Sequence, residues 1–386
     1  MAANSKPAEK ALPCGSISLH YLANVPELLS LCALGPGPAP GVFAVPGDAL
    51  THDASSAPGT SPRPIPLIDA RSPGEFFQGH IPGAVNVPLF DDDERTVVGT
   101  LYKQKSRESA LLAGYGFIGK RMESLGRELL ELAGERKELV FVCARGGMRS
   151  ESLAWLAATL DIQCHVLFGG YKVFRRFVLE YLEQPFNLCA LGGKTGSGKT
   201  DVLRALPRHG GQAVDLEWLA RHRGSAFGSL PDYPQPSTEH FENRLALALY
   251  NCRPDEPIWI EDECENLGTV NVPRAFFRTL RAAPLVLLQV SHNARLTRVL
   301  REYGNMPHED IAACLGRIQK RLGGLVYKQA LAFLEEGNLT AVAEILLGYY
   351  DKAYTRQIEN RPLTATVKED DPSKAAKKLR AIGLRP

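Results

Sequence analysis

The segment that most constrains this chain is Gly193-Lys-Thr-Gly-Ser-Gly-Lys-Thr200, which fits the pattern G-x-x-x-x-G-K-[ST]. An apolar run, Phe186 to Leu191, precedes it and predicts a buried strand. A helical pattern, Asp201 to Leu206, follows it. A strand that turns through glycines straight into a helix aims backbone N–H groups and the positive end of the helix at one spot, and such a spot suits a polyphosphate. Gly193, Gly196, Ser197 and Gly198 supply the loop, Lys199 a point charge, and Thr200 a hydroxyl for Mg2+. The apolar runs Pro257 to Glu261 and Pro284 to Val290 predict further strands. Glu261-Asp262-Glu263 ends the first of them, where a carboxylate is the usual second half of such a metal site. Asp262 is expected to share Mg2+ with Thr200, with Glu261 and Glu263 as alternatives. The motif reads polyphosphate and does not choose a base.

A second site lies upstream. Cys143 ends the apolar run that starts at Glu138, and Ala-Arg145-Gly146-Gly147-Met-Arg149-Ser150 and a helical pattern follow. The two glycines free the backbone to curl around sulfur, the helix points N–H groups at the loop, and Arg145 and Arg149 add positive charge. All of these favour the thiolate, which marks Cys143 as a nucleophile. The other seven cysteines (14, 32, 164, 189, 252, 264 and 314) show no C-x-x-C or zinc-ligand spacing. They read as reduced core thiols. With no apolar signal core at the N-terminus, and no apolar run near the roughly 20 residues of a membrane span, the chain is expected in the cytoplasm, with an organelle as the alternative, and not in a membrane.

Strand patterns at Pro66 to Asp69, Glu138 to Cys143 and Gln163 to Phe168 alternate with helical ones, which argues an α/β parallel sheet. Asp69-Ala-Arg71-Ser-Pro-Gly-Glu75-Phe76 and Gly79-His80-Ile-Pro-Gly-Ala-Val-Asn86 stand upstream of the cysteine loop. With that loop, they make this half resemble a rhodanese domain. The resemblance implies a sulfur or selenium carrier on Cys143, with Asp69 and Arg71 as structural supports and His80 as a turn residue. The loop also spells C-x5-R, the anion cradle of cysteine phosphatases, although Val142 stands where many of those have His. Both readings stay open at this level.

The expected organisation is a flexible N-terminus over 1–14, then a rhodanese-like domain over 15–184 with a Pro-rich insertion at about 33–66. A P-loop α/β domain over 185–292 and a helical, basic region over 293–386 follow. Eight of the 27 prolines fall between Pro36 and Pro66. The net charge of +2 hides an asymmetry: residues 1–280 hold 28 Lys and Arg against 32 Asp and Glu, and residues 281–386 hold 17 against 11.

Beyond the two loops, Asp93-Glu94-Arg95-Thr-Val-Val-Gly99-Thr100-Leu-Tyr102-Lys103-Gln104, Gly169-Gly170-Tyr171-Lys172 and Val214-Asp215-Leu-Glu217 add detail. So do Leu219-Ala-Arg221-His222-Arg223-Gly224-Ser225 and Arg321-Leu322-Gly323. On these segments the chain resembles the tRNA 2-selenouridine synthase family over about residues 66–360. The resemblance implies that 2-thiouridine at wobble position 34 is geranylated on sulfur by geranyl diphosphate and then converted to 2-selenouridine with selenophosphate. Cys143 would carry the selenium as a perselenide, Arg145, Arg149 and the loop amides would hold selenophosphate, and the P-loop would hold the diphosphate. The implied partners are the anticodon arm of tRNA and an enzyme supplying selenophosphate. Arg221, Arg223 and the helical series Arg295, Arg298 and Arg301 are expected to touch tRNA or phosphate. The generic motifs alone also fit a sulfurtransferase or cysteine phosphatase fused to a P-loop NTPase, or a non-catalytic tRNA-binding scaffold, against which intact Cys143 and Lys199 speak. The sequence carries no signal for an oligomeric state.

Overall fold

The computed structural model describes residues 10–11, 18–34, 64–222, 234–304, 306–359 and 361–382. The chain divides into two compact units that part between Leu182 and Glu183, and residues 239–251 group with the first.

The sheet of the first unit holds β1 (Lys10–Ala11), β2 (Ser18–Leu22), β3 (Leu67–Asp69), β4 (Val85–Asn86), β5 (Glu138–Val142) and β6 (Gln163–Leu167), in the order β1-β2-β6-β5-β3-β4. Only β1 runs antiparallel to its neighbour. Helices cover the sheet, so β3 and β5 read as unbroken apolar runs rather than alternating ones. Phe141 pairs with Ile68 on one side and Val166 on the other. These three join Leu129, Leu153 and Ala157 in one buried cluster. The helices Met148–Ala158 and Gly170–Leu182 follow β5 and β6 directly. The 1–14 stretch is therefore not wholly a loose terminus, because β1 adds an edge strand to β2. Of the Pro-rich insertion, residues 35–63 lie outside the described residues. Its ends are packed, with Leu34 and Ile65 buried and the Ile65 N–H donating to Leu31 O at 3.3 Å.

The second sheet holds β7 (Leu188–Gly192), β8 (Gln212–Val214), β9 (Ile258–Glu261), β12 (Leu285–Gln289) and β13 (Leu363–Lys368), all parallel, in the order β13-β12-β7-β9-β8. A short ribbon of β10 (Asn266–Leu267) and β11 (Val270–Asn271) follows β9. Two expectations change here. The region over 293–386 is not helical throughout: β13 extends the P-loop sheet, and the helix Pro372–Ala381 packs Ala375, Ala376 and Leu379 against Val202, Leu203 and Val286. The pattern hid β13 because it is an edge strand that buries only Val367. The helix Thr238–Tyr250, expected inside the P-loop domain, belongs to the first unit. There Glu239 accepts from the Tyr171 hydroxyl at 2.6 Å, and the Asn243 amide donates to His80 O at 3.0 Å. Among the described residues, no helix is long and apolar enough to cross a membrane.

Candidate functional site

Cys143 leaves the end of β5 into a loop that only glycine can close. Gly146 and Gly170 both hold positive φ. A Cβ on Gly146 would meet Leu167 O at 2.4 Å, and one on Gly170 would meet Cys143 O at 2.2 Å. These contacts clamp the cysteine loop against the turn after β6. Within the loop, the Gly147 N–H donates to Sγ at 3.3 Å. The Ser150 hydroxyl lies 3.1 Å from Sγ and 3.0 Å from Gly147 O, so its single proton can serve either. Met148–Ala158 begins immediately after Gly147, which directs its N-terminus at the loop.

Arg149 donates to Glu75 at 2.5 and 3.3 Å, and Arg95 reaches the same carboxylate at 3.2 Å. Burial pushes the Glu75 carboxyl up, but the hydrogen bond and charge of Arg149 and the charge of Arg95 outweigh it and hold the group at about 2. Burial likewise pulls Arg149 down, and Glu75, with the charges of Cys143 and Asp69, more than restores it. Arg145 is exposed. Asp69 and Arg71 form a buried pair at 2.7 Å, and Arg71 also donates to Gly79 O, so both support the site as expected. His80 stacks on Phe76 at 3.7 Å between centroids and holds Phe76 O through Nδ1, as a turn residue does. A cavity of about 720 Å3 opens on Cys143, Arg145 and Arg149.

The second cradle hangs from β7. Gly196 and Gly198 hold positive φ, and Lys199 Nζ donates to Gly193 O at 3.1 Å. The Ser197 hydroxyl is buried with no hydrogen-bond partner among the described residues, a polar atom left for a ligand. A cavity of about 500 Å3 opens over the loop and reaches Trp218, Tyr303 and Tyr350. The Thr200 hydroxyl lies 3.2 Å from Glu217 and 3.4 Å from Glu261. Asp215, Glu217, Glu261 and Glu263 crowd this point. Burial raises all four carboxyls, and the charge of neighbouring carboxyls raises Glu217, Glu261 and Glu263 further, Glu217 to about 8 despite the charge of Lys199. Thr200 with Glu217 and Glu261 makes an oxygen donor set suited to Mg2+ when phosphate oxygens and water complete it. Among the described residues, no group of three or more His, Cys, Asp or Glu is arranged to hold a metal alone.

Three expected site residues change role. Asp262 gives one carboxylate oxygen to Arg281 at 3.0 Å and to Arg361, so the carboxylates beside Thr200 are Glu261 and Glu217 instead. Adjacent residues at a strand end point to opposite sides, which sends Glu261 and Asp262 apart. Arg295 is 4% exposed and grips Asp351 and Thr195 O, and Arg298 is 9% exposed and grips Gly196 O and Asp370 O. Both brace the P-loop from behind instead of facing a nucleic acid. Arg301 stays exposed beside Asp201 at 3.7 Å. Arg221 ends the helix Leu216–Ala220 in a left-handed conformation, 3.5 Å from Pro234 O. Arg223 lies outside the described residues. The sequence reading missed the place of Glu217 beside the Thr200 hydroxyl, although Asp215-Leu-Glu217 after a short apolar run was a usable signal, and it missed Glu75, whose capping box with Ser72 masks its hold on Arg149.

Comparison with known proteins gives consistent matches. The family described as tRNA 2-selenouridine synthase AAA domain matches residues 186–381, and the rhodanese-like domain matches residues 53–176. The first match extends the resemblance from about residue 360 to residue 381. A tRNA 2-selenouridine synthase of Hahella chejuensis is 37% identical over 334 residues, covering 77% of this chain and 86% of that one. The protein of the same description from Shewanella pealeana is 35% identical, covering 77% and 89%, and that from Bdellovibrio bacteriovorus is 34% identical, covering 79% and 92%.

The depressed Glu75 carboxyl fixes a pH dependence. Its folded value of about 2 lies below the ordinary 4.5, so its contribution to stability is complete above 4.5 and is lost as pH falls toward 2. Glu75→Gln should lower unfolding free energy at pH 7 by about 1–3 kcal/mol. The gap from the parent should close between about pH 4.5 and 2 in denaturant titrations. A gap independent of pH would show that the pair with Arg149 is not its source.

Proposed function

Since the chain belongs to the tRNA 2-selenouridine synthase family, we propose that it converts 2-thiouridine at wobble position 34 to 2-selenouridine in two steps, each served by one cradle. The observation that carries this proposal is the pairing of a cationic loop around a thiol with a diphosphate-sized loop beside a cluster of buried carboxyls.

In the first step the 2-thio sulfur attacks C1 of geranyl diphosphate. A C–S bond forms, the C–O bond breaks with its electron pair leaving on diphosphate, and N3 gives up its proton. The loop amides, Lys199 and Ser197 receive the diphosphate. Thr200, Glu217 and Glu261 would hold Mg2+, which would supply positive charge to offset that of the leaving diphosphate. An apolar wall of Val299, Tyr303 and Tyr350 continues from the loop at Thr195 and suits the hydrocarbon end of the donor. This alkylation turns a poor leaving group into a thioether.

Electron counting limits the second step. Selenium sits at the selenide level both in selenophosphate and in the product, whereas a perselenide on Cys143 would hold it two electrons higher and would call for a two-electron oxidant to form and a reductant to release the selenium. The balanced route sends the Cys143 thiolate to phosphorus, in keeping with the C-x5-R cradle. An S–P bond forms, the P–Se bond breaks, and hydrogen selenide leaves with the electron pair. Selenium then adds to C2, the C2–S bond breaks, geranylthiolate departs, and the selenide proton passes to N3. Water hydrolyses the phosphocysteine to phosphate. Arg145, Arg149 and the loop N–H groups hold the phosphoryl oxygens.

Mass spectrometry of tRNA nucleosides separates the steps. Cys143→Ala should lower selenation by roughly 1,000-fold or more while S-geranyl-2-thiouridine accumulates. Lys199→Ala should lower geranyl transfer by roughly 100-fold. Undiminished 2-selenouridine in the first variant, or unchanged geranyl transfer in the second, removes that cradle from the reaction. Rapid quenching with doubly labelled selenophosphate should trap phosphorus on Cys143. Selenium trapped there without phosphorus would restore the perselenide.

A further inference from the structure

The cavity of about 720 Å3 in the first unit is much larger than a selenium donor needs. At roughly 30 Å3 per heavy atom, the share of one water in the liquid, selenophosphate takes about 150 Å3. A geranyl chain together with its 2-thiopyrimidine ring takes about 550 Å3 by the same measure.

The walls match the larger occupant. They come from the Cys143 loop and from two helices, Asp92–Gln104 and Arg107–Gly119, joined at Lys105 and Ser106. Leu89, Phe90, Val98, Leu111 and Ile118 line the cavity and make it largely apolar. The first of the two helices fully buries no residue and the second only Ala110 and Gly114; Val98, Phe117 and Ile118 pack against the core cluster, while Tyr102, Leu112 and Tyr115 stay exposed. Gly114 keeps the cavity open at its base, where a Cβ would press on the Phe90 ring at 3.1 Å. Tyr102 and Tyr115 stand at the cavity 54% and 63% exposed. Lys103, Arg107 and Arg145 also line it, exposed and without an ion pair to any described residue. An apolar interior beside a nucleophile, with unpaired cations around it, is complementary to a hydrocarbon attached to a polyanion.

We propose that this cavity binds the S-geranyl group of the modified tRNA during selenation. The chain lies against Leu89, Phe90, Leu111 and Ile118, which leaves C2 of the nucleoside at the Cys143 end, and Lys103 and Arg107 meet the backbone phosphates of the anticodon loop, while Arg145 stays with the phosphoryl group at Cys143. The inference rests on the proposed function, since it takes the S-geranyl nucleoside as the intermediate. It adds a reason for the order of events: a 2-thiouridine without the chain lacks the anchor that presents C2 to selenium, so the alkyl group acts as leaving group and as handle. The donor chain and the product chain then occupy different sites, one at each cradle.

The test is direct binding of the full chain, without selenophosphate, to anticodon stem-loops that carry S-geranyl-2-thiouridine or 2-thiouridine at position 34. The parent should prefer the geranylated stem-loop by about tenfold or more. Leu111→Trp fills the space of the chain, and a double variant, Tyr102→Asp with Tyr115→Asp, puts charge at the cavity. In both, the preference should fall below about twofold. The tyrosines are exposed, so the double variant remains informative if Leu111→Trp does not fold. Lack of preference in the parent, or a preference retained in the double variant, overturns the proposal. Geranyl transfer by the parent is scored separately: if no S-geranyl nucleoside forms, the proposed function fails, whereas normal formation with an unaltered preference refutes the cavity assignment alone.

Discussion

A parallel strand covered on both faces can offer reactive groups only where it ends, and both cradles follow from that constraint. β5 lies between β6 and β3, and β7 lies between β12 and β9, so each is central to its sheet. At Val142 and Gly192 the chain must leave the sheet and begin a helix within a few residues. The turn therefore curls tightly enough to point several N–H groups inward, and glycines at positive φ make that possible. What fills the two turns differs. One encloses a sulfur and recruits arginine; the other encloses an anion-sized space lined by Lys199, Ser197 and Thr200.

Arginine in this protein works inward. Arg149 is held on Glu75, Arg295 on Asp351, Arg298 on Gly196 O and Asp370 O, and Arg281 and Arg361 on Asp262. These pairs fix loops that would otherwise have many conformations, and they remove several cations from the surface that the charge asymmetry suggested for tRNA. Among the described residues, Glu217 and Glu261 beside Thr200 form no comparable ion pair. Burial and the charge of neighbouring carboxyls raise both groups, so at neutral pH they hold their protons more readily than exposed carboxyls do.

The parts legible in the sequence are those that chemistry fixes locally. Cys143, Gly146, Gly147 and the Gly193 to Thr200 loop sit where the spacing placed them, because a strand, a glycine turn and a helix leave little choice. The strands β3, β5, β6, β7, β9 and β12 were visible as apolar runs for the same reason of double burial. The missed parts are set by tertiary packing. An i, i+3, i+6 series of arginines looks like an exposed stripe, yet Arg295 and Arg298 face the back of the P-loop. Three acidic residues in a row cannot show which one meets Thr200, since that depends on where β9 ends relative to β7. β13 buries one side chain and joins its sheet from some seventy residues after β12, beyond the reach of any local pattern.

The central claim is that the two cradles perform separable halves of one conversion. It is tested most directly by preparing tRNA with S-geranyl-2-thiouridine already at position 34 and giving it, with selenophosphate but without geranyl diphosphate, to the Lys199→Ala protein. Division of labour predicts 2-selenouridine at close to the parental rate. If the lysine is still required when the geranyl group is already in place, the P-loop takes part in selenation and the division is wrong.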